Sequence, residues 1–381
     1  MERKTKIRVV HYLGRLGSGG IEKLLIDLYD NMDREIIQYI YLLNDRNQKG
    51  FYDDYVLNQG AKIEYINAPW KNNPLIRFFN KSTELYKYLK QDKCDIFHIH
   101  GSGPAQYFYA CVAKKAGVKK VILHGHNPKS ISLIHGMTYP IAKVLFKSYI
   151  DYFVATSKET ADYCWPLKID KSRTKILLNG IAIDKYKFSY AKRDEVRQQY
   201  GINKKFVVGN VGRFTPQKNH AFLLEIFSEV LKKNAESILM LVGAGQEEKN
   251  IKKKASELGI SDNIIYVGET THVADFMAAM DVLCFPSLHE GLGIVAIEAQ
   301  AMSLRVVASN AIPQEANISS YITFLSLDKD PKEWAEEVVK RGKEYFRDND
   351  NTQMIKKTGF DIRESAKSLE QIYRQLMEET E

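Results

Sequence analysis

The sequence predicts an α/β protein made of two Rossmann-like, doubly wound domains, and two observations carry that prediction. With 381 residues the chain exceeds one ordinary hydrophobic core and suits two domains of about 180 to 200 residues. Along both halves, short apolar runs alternate with helix-length segments, a pattern that implies parallel strands joined by helical crossovers. Such sheets take ligands outside the carboxyl ends of their strands, so function is sought in the turns that follow them.

Residues 7–12 read as the first strand. Gly14, Gly17, Gly19 and Gly20 follow, and then a helical pattern with Leu24, Leu25, Leu28 and Tyr29 in register. The glycines do not give the G-x-G-x-x-G spacing of a dinucleotide-binding turn, and no acidic ribose partner ends a second strand. Strands are predicted at 38–43, 62–66 and 96–100, with helices at 51–58 and 75–90. Another strand ends at His124, and one more covers 151–157 before a helix that starts at Lys158. In a doubly wound sheet the loops after Tyr12, His100 and His124 gather around one crevice.

Those loops are rich in histidine: His98, His100, His124 and His126 put H-x-H at two strand ends, which invites a metal. No metal is expected, because metal sites need three or four ligands with supporting partners, and alternation along a strand is read as sending paired histidines to opposite faces. Residues 127–150 mix Ile131, Leu133, Ile134, Met137, Tyr139, Leu145, Phe146 and Tyr149 with Lys129, Lys143 and Lys147. The segment reads either as a core helix with a solvated edge or as a face for an anionic membrane, where each lysine contributes ~1 kcal/mol. Pro140 is expected to interrupt any single long helix there.

The second half opens with a strand from Phe206, after which Arg213 and Lys218 supply two cations. Strands at 237–242 and 264–267 end at Gly243 and Gly268. The run 282–285 leads through a turn containing Gly291 and Gly293 into a helix with Ile294, Ile297, Ala301 and Met302 on its apolar side, and 305–308 is one more strand. A strand that enters a helix through a glycine turn presents free N–H groups at the positive end of the helix dipole, a setting for phosphate. Glu290 lies in the turn and Glu298 about two helical turns along, so one extended ligand spans both. From Lys332 onward the tail is helical and polar, and Asp348-Asn-Asp350 is read as solvated surface.

Composition narrows the function classes. Hydrophobic residues at 44% and charged ones at 27% are those of a soluble globular protein, and no run approaches the ~20 apolar residues of a membrane span. The N-terminus enters its first strand without an apolar signal region, so a cytoplasmic protein is expected. Cys94, Cys111, Cys164 and Cys284 show no C-x-x-C spacing and predict neither zinc nor a disulfide framework. The net charge of +8 is concentrated in the first half, which is therefore expected to meet something negative. Nucleic acid is not expected, since Arg213 and Lys218 lie in the half that carries the negative balance and no RNA-binding aromatic motif is present.

The stretch 285–302, with Phe-Pro-Ser before Glu290 and Glu-Ala-Gln-Ala from Glu298, resembles the glutamate, seven residues, glutamate motif of retaining glycosyltransferases with the glycosyltransferase B fold, most closely family 4. The His-Gly-His-Asn segment 124–127 resembles the bacterial exopolysaccharide and capsule branch. The resemblance implies two domains facing across a cleft, 1–185 for the acceptor and 186–359 for the donor, with a last helix at about 360–381 packing back on the first. It implies that Glu290 and His126 face the donor sugar, that Arg213 and Lys218 neutralise the diphosphate, and that the N–H groups of Gly291, Leu292, Gly293 and Ile294 hold it. Glu298 would meet the ribose, Gly17, Gly19 and Gly20 would close on the phosphates, Gly243 and Gly268 would flank the nucleotide, and His100, Gly101 and Asn127 would line the acceptor side. Ser303 and Arg305 depart from the family, where Gly and Pro are frequent, which puts that turn in question.

The expectation is thus a metal-independent, retaining glycosyltransferase using a nucleoside-diphosphate sugar, UDP-linked, and a lipid-linked or oligosaccharide acceptor in cell-surface polysaccharide synthesis, with peripheral contact at an anionic membrane. The alternatives are a soluble-acceptor enzyme or sugar-phosphate synthase of the same fold, and a non-catalytic nucleotide-binding module.

Overall fold

The computed structural model describes residues 6–44, 49–66, 68, 73–126, 133–344, 347 and 351–379, with backbone alone for 133–137. It divides into two compact units, Met1–Gly180 with Ile362–Glu381, and Ile181–Asp361.

The first unit contains β1 (Ile7–Leu13), α1 (Gly20–Asp30), β2 (Ile37–Leu43), α2 (Asp53–Asn58), β3 (Lys62–Tyr65), α3 (Pro74–Gln91), β4 (Ile96–His100), α4 (Pro104–Lys115), β5 (Lys120–Gly125), α5 (Leu133–Phe146), β6 (Tyr152–Ala155), α6 (Lys158–Cys164) and β7 (Thr174–Ile176). All strands pair in parallel, in the order β3-β2-β1-β4-β5-β6-β7. Strands covered on both faces read as continuous apolar runs, and Val10, Ile40, Phe97, Ile99, Val121 and Leu123 are accordingly buried. The order reverses between β1 and β4, so the turns after these two strands splay apart and leave a crevice.

Two helices of this unit leave apolar side chains in water. α3 is capped by the Asn73 side chain, which accepts from the N–H groups of Leu75 and Ile76. It buries Leu85 and Leu89 while Leu75, Ile76 and Phe79 stay exposed. α5 exposes Ile141, Val144 and Leu145. Phe108 of α4 touches both Phe78 of α3 and Phe146 of α5, so the three helices are neighbours. Pro140 does not interrupt α5 but lies inside it. Proline removes only its own N–H and displaces one carbonyl, and Pro140 itself is exposed.

The second unit contains α7 (Tyr190–Gln199), β8 (Phe206–Val211), α8 (His220–Lys233), β9 (Ser237–Val242), α9 (Glu248–Glu257), β10 (Ile264–Gly268), α10 (Val273–Ala279), β11 (Val282–Phe285), α11 (Ile294–Ala301), β12 (Arg305–Ser309), β13 (Ile322–Leu325), α12 (Pro331–Lys343) and α13 (Thr352–Lys357). The parallel order is β10-β9-β8-β11-β12-β13, with its reversal between β8 and β11. Asp281 anchors that centre: it pairs with Arg193 at 2.6 Å and Arg197 at 2.7 Å, and accepts from the Val207 N–H. α14 (Ile362–Glu378) returns to the first unit and packs on α1.

The first dividing point falls at Gly180, a few residues before the expected 185, because the turn Ile183–Tyr186 packs on α11. The second falls after Asp361, not 359. The turn at Ser303 is now defined. Ser303 has φ +56, and the N–H groups of Ser303 and Leu304 reach the carbonyls of Gln300 and Ala299. This is a Schellman ending for α11, with serine held left-handed where glycine is easiest. The Ser303 hydroxyl compensates by accepting from Asn351 at 3.0 Å.

Candidate active site

The turns after β8 and β11 lie on either side of the second unit's reversal point, and contacts between them, of which four are the shortest, stitch them together. Leu288 N–H donates to Gln217 O at 2.8 Å, Gln217 Nε2 donates to His289 O at 2.8 Å, and Asn219 Nδ2 donates to Pro286 O at 3.2 Å. The fourth is an ion pair, Lys218 Nζ to Glu290 Oε1 at 2.7 Å, with the side chains only 14% and 10% exposed. The ammonium also lies 4.8 Å from the Phe285 ring centroid. Asn219 makes this possible by taking φ +55, a left-handed step that asparagine tolerates better than most residues and that turns the chain from Lys218 into α8. A salt bridge with little solvent screening holds both side chains in place.

Glycine is required where backbones meet. A Cβ on Gly243 would lie 2.1 Å from Gly212 O, and one on Gly245 would lie 2.5 Å from Phe214 O. The turn after β9 therefore lies directly against the turn after β8. Gly268 closes the same corner, accepting the Gly243 N–H at 2.9 Å.

The turn after β11 ends at Gly293, which has φ +81 and caps α11. The N–H groups of Gly291, Leu292, Gly293 and Ile294 donate no hydrogen bond among the described residues. Four amides at the positive end of a helix, beside an ammonium, form a site for an anion. Arg213, at the end of β8, is exposed and unpartnered among the described residues, so its guanidinium can move to a ligand. Glu298, inside α11, is 4% exposed and accepts a hydrogen bond from the Tyr186 hydroxyl. Tyr186 escaped the sequence reading: nothing in the local sequence links it to a glutamate more than a hundred residues away.

In the first unit, the loop between β1 and α1 contains Gly17 and Gly19, and Gly20 opens α1, none with positive φ. A Cβ would meet nothing within 4 Å at Gly20. Gly101 does need its freedom: it has φ +137, and its N–H donates to His124 O at 3.0 Å. Asn127 and the segment 127–132 lie outside the described residues, as does 348–350.

The histidines correct the sequence reading. Positions i and i+2 of a strand share a face, and the two H-x-H pairs do so: the His98 and His100 rings stack at 4.4 Å and those of His124 and His126 at 4.2 Å. His11, not singled out from the sequence, joins them from β1. It pairs in register with His98, and the parity of that strand was the available signal. All five are buried. Burial lowers His11 and His126 to about 3, and burial with neighbouring histidines holds His98, His100 and His124 well below the ordinary range. They are neutral at physiological pH. His98 Nδ1 lies 2.8 Å from the Tyr373 hydroxyl of α14. Both nitrogens of His100 are engaged, by His11 and His126 at 2.9 Å each, which leaves neither for an acceptor.

Comparison with known proteins places this geometry. Residues 192–373 match the family described as glycosyl transferases group 1, and residues 18–185 match glycosyltransferase family 4. The chain is 25% identical over 382 residues to the capsular polysaccharide biosynthesis glycosyltransferase CapH of Staphylococcus aureus, covering 96% of this chain and 98% of that one. It is 24% identical over 318 residues to the UDP-Gal:alpha-D-GlcNAc-diphosphoundecaprenol alpha-1,3-galactosyltransferase of Escherichia coli, covering 80% of each. In fold it is similar to Anabaena HepE, solved with UDP and glucose, with a TM-score of 0.77 at 18% identity over 96% of this chain and 99% of that one. With both units matched and the phosphate-type turn in the second, the chain belongs to the family 4 glycosyltransferases.

Proposed function

We propose that this glycosyltransferase is a retaining enzyme that moves a sugar from a UDP-sugar to a lipid-linked or oligosaccharide acceptor in bacterial cell-surface polysaccharide synthesis. The observation that carries the proposal is the meeting of Lys218, Glu290 and the four unbonded amides of residues 291–294 at one strand end. The leaving group is a diphosphate, and fixed positive charge where negative charge develops lowers the barrier. Lys218, the amides and Arg213 supply that charge without calling for a metal. The bond from the sugar's anomeric carbon to the diphosphate oxygen breaks, the acceptor oxygen bonds to the same face, and its proton passes to the departing diphosphate. Glu290 then positions the sugar, Glu298 meets the ribose and His126 meets the donor.

UDP is favoured because HepE was solved with it, and a lipid diphosphate acceptor because the Escherichia coli relative is named for one. Supporting the membrane side is the exposed apolar surface of α3 and α5. Beside it lies an apolar cavity of about 560 Å³ lined by Tyr139, Val144 and Leu167, with Lys147 and Lys168 among its residues. Apolar surface bordered by cations suits an anionic interface. Among the described residues no helix is long and apolar enough to cross a membrane.

Incubation with a panel of nucleotide sugars, followed by mass spectrometry, tests the reaction. Donor-dependent release of UDP with an α-linked product supports the reading, and an inverted product or no turnover with any nucleotide sugar removes it. Flotation with anionic liposomes tests the surface: a Lys147→Glu/Lys168→Glu protein recovered as fully as the wild type ends that part.

A further inference from the structure

Three buried imidazoles, from β1, β4 and the residue just after β5, run in a diagonal row across the first sheet. His11 Nδ1 lies 2.9 Å from His100 Nε2, and His100 Nδ1 lies 2.9 Å from His126 Nε2. The ring planes differ by only 16° and 32°, and in both pairs the centroids are 5.2 Å apart. That separation is the nitrogen–nitrogen distance plus one ring radius on each side, so the rings meet edge to edge along the N–H···N line. The nitrogens of His11, His98 and His100, and those of His100, His124 and His126, lie close enough together to hold a metal ion, but ring edges that meet along an N···N line of 2.9 Å have the geometry of N–H···N hydrogen bonds. The contacts are hydrogen bonds.

A neutral imidazole has one N–H and one acceptor nitrogen, and burial keeps these rings neutral. His100 therefore donates to one neighbour and accepts from the other, which leaves two self-consistent arrangements. In the first, His11 Nδ1 donates to His100, His100 Nδ1 donates to His126, and the His126 proton stays on Nδ1. In the second, every proton is on the opposite nitrogen, and His126 Nδ1 is a bare acceptor. Any mixture sets two protons or two lone pairs against each other. The end atoms, His11 Nε2 and His126 Nδ1, are buried without a hydrogen-bond partner among the described residues, so no other described group competes to set the direction.

We infer that His11, His100 and His126 act as one tautomeric unit, in which His11 and His100 are positioning residues that fix whether His126 Nδ1 meets the donor as a hydrogen-bond donor or as an acceptor. This rests on the proposed reading that His126 meets the donor. An anionic phosphate or sugar oxygen that only accepts selects the first arrangement, and the selection is carried through His100 to a ring that touches no ligand.

Nitrogen-15 NMR of the full-length, histidine-labelled protein tests the row directly. Couplings across both N–H···N contacts are expected, with UDP moving His126 and His11 together to the Nδ1–H form. Absence of either coupling, or one zinc bound per chain, overturns the inference. Kinetics separate positioning from packing. His11→Phe fills the space but cuts the row and is expected to raise the donor KM about tenfold, whereas His11→Asn retains an N–H donor at the Nδ1 position and restores it to within about threefold. If phenylalanine is tolerated and asparagine is not, the role is packing and the inference fails. His126→Phe distinguishes the two levels: an unchanged donor KM and kcat removes the donor contact itself, while intact couplings in the wild type would still stand.

Discussion

Each unit ends its central strands in a cluster of polar side chains, and the two clusters are built on opposite principles. In the first unit five histidines, on β1, β4, β5 and the residue just after β5, pack against one another, buried and neutral. In the second, the ends of β8 and β11 hold a charged pair, an exposed arginine and four amides awaiting an acceptor. The same doubly wound frame thus provides a site where burial removes charge and directs hydrogen bonds, and a site where charge is kept and aimed. The first is sensitive to protons and the second to anions.

The largest expected effect tests the proton side. The folded histidines refuse protons that the unfolded chain accepts below its ordinary value of 6.5, and His11 and His126 do so down to about 3. Stability therefore rises with pH across that window and falls on acidification, by up to ~1.4 kcal/mol per pH unit for each such histidine. Hydrogen exchange followed by mass spectrometry at pH 7, 5.5 and 4.5 is expected to show β1, β4 and β5 losing protection before β8 and β11. Equal loss in the two units would erase the contrast. Among the described residues of the second unit the comparable group is His220, lowered to about 4.

Next in size is the charged site. Lys218→Ala and Glu290→Ala are each expected to lower kcat at least ~100-fold, as loss of one transition-state partner does, with the fold retained by circular dichroism but melting lowered, because each leaves the other group unpaired at a little-exposed position. Near-normal turnover in either would remove that residue from the reaction. Arg213→Ala is expected to cost about tenfold in kcat/KM with no change in melting, because the guanidinium has no folded partner to lose among the described residues. A large drop in melting would show a structural role instead. Tyr186→Phe removes the hydroxyl that donates to Glu298 and is expected to raise the donor KM about three- to tenfold with kcat little changed. The smallest effect is at the end of α11. Ser303→Gly relieves a left-handed serine but loses the bond from Asn351, so the two terms of ~1 kcal/mol nearly cancel and thermal melting is expected to move by only a few degrees.

The second site was the more legible of the two. A strand, two glycines and a helix announce an anion-binding turn because φ and free N–H groups are local properties. The first cluster was misjudged because its chemistry depends on which faces of neighbouring strands coincide. His11 carried no motif of its own, and the H-x-H pairs acquired meaning only when parallel register set β1, β4 and β5 side by side. The three-residue strand β7 was missed for a related reason, having too few residues to show a period.

From local patterns alone the chain determined its alternation of strands and helices, its two cores, and the turn that gathers amides at Gly291 to Ile294. Only tertiary structure decided that Tyr186 reaches Glu298, that Gly243 lies against the backbone of Gly212, and that three imidazoles line up at hydrogen-bonding distance. The physical reason is range: propensity and periodicity act over a few residues, whereas these contacts join segments tens of residues or more apart and exist only once the sheets fix their register.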